Sequence, residues 1–128
     1  MTRDILATYM DKAERALTSA RVLVEAGDPE GACNRAYYSM FDAAHAVLFA
    51  LGHEEASTPI KTHHGLVLKF GLHVVKTDKL PSAYGEALNA VQRIRQIADY
   101  SGATIDKEEA VWAIEEAARF LEAVKSIV

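Results

Sequence analysis

The chain has 128 residues, half of them apolar and a quarter charged, the balance of an ordinary globular domain with one packed core. Its formal net charge of -4 excludes a bulk polycation, so any contact with nucleic acid needs a local basic patch. Cys33 stands alone and forms no internal disulfide, no apolar run resembles a signal peptide, and no stretch approaches the roughly 20 apolar residues that span a bilayer. A soluble, cytoplasmic protein with no membrane contact is expected.

The periodicity is helical throughout. Ile5, Tyr9, Ala13, Ala16, Ala20 and Leu23 recur at steps of three and four, which predicts a first helix ending at Gly27. Asp28 and Pro29 supply an N-cap and a first helical position, and the second helix then runs to about Leu51 before Gly52. After the polar connection "HEEASTP", a third helix is expected over roughly Ile60 to Lys76, weakened by Gly65 and Gly71. Pro81 opens a fourth, with Leu88, Val91, Ile94 and Ala98 inward, and Gly102 ends it. Asp106 and Glu109 have the spacing of a capping box ahead of a last helix striped by Ala110, Ile114, Ala117, Leu121, Val124 and Val128. No segment alternates with period two. The expectation is a single all-α domain over residues 1–128, an up-and-down bundle of four to five helices.

The second helix carries two stripes. Tyr37, Met40, Ala44, Val47, Leu48 and Leu51 share one face. Arg35, Tyr38, Asp42, His45 and Phe49 fall nearly opposite, a mixture of cation, phenol, carboxylate, imidazole and phenyl unlike the Lys, Glu and Gln of a plain solvated face. Such a stripe reads either as scattered surface residues or as a surface meeting a second subunit or lining a cleft.

On the fourth helix Val91 centres the apolar face, with Arg95 about 40° and Arg93 about 160° away. Arg95 therefore lies at the core edge, and Asp99, one turn on, is placed to pair with it. Two readings stand. The pair is structural, or Arg95 presents its planar fork to a phosphate.

"NRAYYSMF" (34–41), "KTHHGLVLKF" (61–70) and "RQIADY" (95–100) occur in this order on three predicted helices. Together they resemble the HEPN domain family, in particular its small stand-alone bacterial and archaeal members. The resemblance implies a dimeric helical bundle, a minimal nucleotidyltransferase partner in a toxin–antitoxin pair, and metal-independent endoribonuclease activity. The family signature is an arginine, a polar neighbour, and a histidine after four to six intervening residues. Here Arg95 and Gln96 fit, but four intervening residues lead to Tyr100, six lead to Gly102, and no histidine follows His73. Tyrosine, with a reference pKa of about 10, is a poor general base near neutrality. His63 in "KTHHG" is the candidate substitute.

The catalytic candidates are thus Arg95, Asp99, Tyr100 and His63. Asn34, Arg35, Tyr38, Lys61 and Gln96 are candidates for holding RNA or a nucleotide. Tyr100 or Tyr38 would accept AMP if the partner transfers it. No cofactor is expected, and no metal: the five histidines contain no i,i+4 pair and one cysteine builds no thiolate site. The rival readings are a non-catalytic dimeric module that binds a nucleotide or the partner, and a plain dimerisation bundle.

Overall fold

The computed structural model describes residues 2–55 and 59–128, with backbone alone for residues 2–4, 100 and 101. The elements are α1 (Thr2–Glu25), α2 (Pro29–Ala50), α3 (His63–Phe70), α4 (Ser82–Ser101) and α5 (Lys107–Lys125), and α3 continues into a π-helical segment, Gly71–Val75. Among the described residues there is no strand, and no helix is long and apolar enough to cross a membrane. The protein is an all-α bundle, as its periodicity predicts.

Local chemistry sets the boundaries. Gly27 and Gly102 have φ of +88° and +74°, the left-handed conformation that lets a chain leave a helix and that a side chain disfavours. The Asp28 carboxylate accepts the Gly31 N–H at 2.9 Å, with Pro29 as the first residue of α2. Asp106 and Glu109 form the reciprocal capping box at the start of α5. The third helix departs from expectation. It starts at His63, capped by the Thr62 hydroxyl, and widens after Phe70, where the Lys76 N–H reaches back to the Gly71 carbonyl at 2.9 Å.

α1, α2 and α5 pack along much of their lengths around one core. Small residues line the contacts: Ala13, Ala16 and Ala20 on α1, Ala36 and Ala43 on α2, Ala113 and Ala117 on α5 are all buried. Short side chains let the helix axes approach closely. The close approach of α1 to α2 is fixed by the buried Ser39 hydroxyl, which donates to the Ala13 carbonyl at 2.8 Å. Phe70 of α3 stacks on Phe120 of α5 at 5.4 Å and so closes the bundle from the other side. Burying each such large side chain contributes about 1.5–3 kcal/mol. α4 adds Leu88 and Val91 to this core, leaving its next turns to face both a polar cluster and the surface.

Candidate functional site

The polar cluster forms where α2, α3 and α4 converge. Arg95 is at the core edge, as its helical phase predicts, with its side chain 17% exposed. Its Nε donates to Gln92 Oε1 at 2.9 Å, and Nη1 donates to Asp99 Oδ2 at 3.3 Å. Its guanidinium carbon lies 4.9 Å from the Tyr37 ring centroid and 5.6 Å from that of Tyr38. Arg35 also lies over Tyr38, at 5.8 Å. Two cations from two helices therefore share one phenol ring. Asp99 neutralises Arg95 only loosely, since its side chain is 47% exposed. Among the described residues Nη2 of Arg95 carries no hydrogen bond.

The histidine comes from α3. Tyr37 is buried, and its hydroxyl meets His63 Nδ1 at 2.7 Å. His63 Nε2 meets Asn89 Oδ1 at 3.1 Å. With the amide oxygen facing it, Nε2 carries the ring proton, and Nδ1 accepts from the phenol. Burial pushes the Tyr37 phenol well above its ordinary range, against the opposing pull of Arg95, so it stays a donor. Burial also lowers the His63 pKa; Arg95 and His64 add to that lowering, and the Asn89 bond opposes it. His63 is thus a neutral imidazole near pH 7, joined through Tyr37 to the guanidinium.

Sequence reasoning placed Arg95, Asp99, His63, Arg35 and Tyr38 as candidates, and the structure brings these five into one neighbourhood. Asn34 is half-buried on α2, while Lys61 and Gln96 are exposed, and none of the contacts above involves them. The Tyr100 side chain lies outside the described residues. Tyr37, Asn89 and Gln92 were missed. Tyr37 was read as core by phase, but a buried phenol usually finds a partner for its hydroxyl, which is a signal that the sequence does contain.

The outer stripe of α2 needs a correction. Arg35, Tyr38, Asp42 and Phe49 are partly exposed, but His45 is only 3% exposed. It is covered because Tyr9 of α1 stacks on it at 5.4 Å and its Nδ1–H donates to Glu54 Oε1 at 2.5 Å. The same Glu54 oxygen accepts the Ile60 N–H at 2.7 Å. His45 therefore ties the α2–α3 connection to the bundle and is absent from the surface stripe. Among the described residues, no three His, Cys, Asp or Glu side chains converge as a metal ion would require.

Comparison with known proteins agrees with this architecture. The chain is 33% identical to the UPF0332 protein of Gloeobacter violaceus over 115 residues, covering 88% of this chain and 87% of that one. It is 30% identical over 123 residues to a Methanocaldococcus jannaschii protein named "Putative toxin", covering 96% and 88%. A UPF0332 protein of Thermotoga maritima is 29% identical over 126 residues, covering 97% and 91%. The model of the HEPN domain matches residues 6–127, nearly the whole chain, and the protein therefore belongs to the HEPN domain family.

Proposed function

We propose that this chain is the HEPN component of a toxin–antitoxin-like pair with a minimal nucleotidyltransferase, and that it acts on RNA through the Arg95 cluster. The observation that carries this reading is the guanidinium of Arg95 held against Tyr37 and Tyr38, loosely paired with Asp99, with His63 at the Tyr37 hydroxyl. A planar cation in that setting suits a phosphodiester, and Arg35 adds a second positive charge beside the same ring. Relatives named "Putative toxin" support the toxin-like role. Two copies would bring their Arg95–Tyr100 segments to a shared cleft, with the partly exposed Arg35, Tyr38 and Phe49 lining it.

In the catalytic form of this reading, the 2'-oxygen attacks the adjacent phosphorus, the P–O5' bond breaks to leave a 2',3'-cyclic phosphate and a 5'-hydroxyl that takes its proton from water, and Arg95 stabilises the charge developing on the phosphate. A proton acceptor is then needed, and His63 is the nearest imidazole. To serve, its Nε2 must give up Asn89 and take the other tautomer, because Nδ1 is held by Tyr37. That engagement of both ring nitrogens favours a second reading, in which the same cluster binds RNA or a nucleotide without cleaving it.

One experiment separates them. Purified protein is incubated with single-stranded RNA, wild type beside Arg95→Ala and His63→Ala, with cleavage and gel-shift binding both read. A ribonuclease loses about 100-fold or more of its rate in Arg95→Ala. A binding module leaves RNA intact, and Arg95→Ala weakens the shift. Cleavage and binding that both survive Arg95→Ala reject the site, and wild-type protein that neither binds nor cleaves RNA rejects the RNA reading.

A further inference from the structure

On the side of α4 turned away from Arg95 lies an apolar surface that the cluster does not use. Ile94 precedes Arg95 by one residue and so points about 100° away around the helix axis. It faces Trp112 of α5, the only tryptophan in the chain and 36% exposed. Two surface grooves run along this indole. One, of about 520 Å³, is lined by Val111 and Trp112 with Lys107, Glu108 and Glu115. The other, of about 360 Å³, is lined by Ile94 and Trp112 with Glu108 and Glu109.

The rim is acidic. Three carboxylates and one ammonium line the two grooves. Glu109 is spent in the capping box of α5, and Glu108 also favours the positive end of that helix. Glu115 lies beyond the first turn and has no such local use. Neither Glu108 nor Glu115 has an ion-pair partner among the described residues. An exposed tryptophan in a groove is the side chain most often found to dominate binding at a protein interface. The carboxylates decide what sits there. A second copy pairing face to face would set these rims against each other, like charge on like charge.

We propose that the α4–α5 groove around Trp112 docks a basic amphipathic helix of a different polypeptide, apolar residues against Trp112 and Ile94, Lys or Arg against Glu108 and Glu115. This surface stands apart from Arg95, and the inference does not depend on the RNA reading. Helix-in-groove recognition of this kind uses anchors at i, i+3 or i+4 and i+7.

Trp112 is its own reporter. The full chain is titrated with two synthetic amphipathic helical peptides that share an apolar face, one flanked by Lys and the other by Glu. The expected result is a saturable blue shift of Trp112 emission with the basic peptide and binding at least about tenfold weaker with the acidic twin. The double variant Glu108→Lys/Glu115→Lys, whose fold is checked by circular dichroism, reverses that order. No saturable shift with either peptide, equal affinity for both, or an order unchanged in the double variant overturns the proposal. So does an emission shift that follows protein concentration with no peptide present, which would assign the groove to a second copy.

Discussion

Two contacts between a basic side chain and a carboxylate in this molecule look alike on paper and behave oppositely. His45 and Glu54 have side chains 4% and 0% exposed, and their contact is closed by Tyr9 above and by the Ile60 N–H on the same carboxylate oxygen. Arg95 and Asp99 are 17% and 47% exposed, and the guanidinium is spread between a glutamine, an aspartate and two phenol rings. The first contact joins α2 to the connection that directly follows it and is sealed. The second joins neighbours one turn apart on α4 and stays open on its carboxylate side. Sealed pairs hold a fold together because removing one member strands the other in a medium that solvates it poorly. Open pairs leave the cation free to exchange its partner for a ligand.

Breaking the sealed contact tests the contrast most severely. Glu54→Ala strips both His45 and the Ile60 N–H of their acceptor, and a loss of about 2–4 kcal/mol in urea unfolding is expected from two stranded donors. A loss under 1 kcal/mol would mean that the connection is not a structural tie. Tyr37→Phe comes next. It keeps the ring beneath Arg95 but removes the donor to His63 Nδ1, at an expected cost of about 1–3 kcal/mol, with the His63 ring resonances reporting the change by NMR.

The pH dependence follows from His63. Its folded pKa lies below its unfolded value, with burial as the main cause, so the unfolded chain takes up the proton first as pH falls. Its contribution to stability is present above the unfolded pKa of about 6.5 and declines as pH drops through and below that value. The urea midpoint should therefore fall on acidification, and His63→Gln should remove part of that slope. His73, lowered by burial and then by His53 and Lys69, acts in the same direction and retains its own share. A slope identical in wild type and variant would count against the His63 assignment. The smallest effect is expected at Asp99→Ala, which should change stability by less than about 1 kcal/mol because the pair is half in water. On the proposed RNA reading, the same variant should bind RNA more tightly, since the competitor for the Nη1 group is gone. Weaker binding would make Asp99 a support of the site.

Much of the fold could be read from local residues. Asp28 with Pro29, Asp106 with Glu109, and the glycines at 27 and 102 act through their immediate neighbours, and those helix ends fall where expected. The position of Arg95 at the core edge also followed from its phase about Val91. What stayed hidden depends on contacts between distant segments. Tyr37 and His63 are 26 residues apart, as are His63 and Asn89, and no periodicity links them. Glu54 lies in a polar connection and looked solvated, yet it is buried because His45 and Ile60 lie where its carboxylate can reach both. The π-helical widening after Phe70 was equally invisible, because a glycine-containing run is compatible with either winding.

Cys33 sits with no exposed surface in the middle of this packing, and burial, reinforced by Glu109 and opposed by Arg95, pushes its thiol pKa up to about 11. The molecule therefore carries a single thiol that stays silent to alkylating reagents while α2 is seated and becomes reactive when the helix lifts. The rate of its labelling is a stopwatch for breathing motions beneath the guanidinium, available without adding any dye or tag.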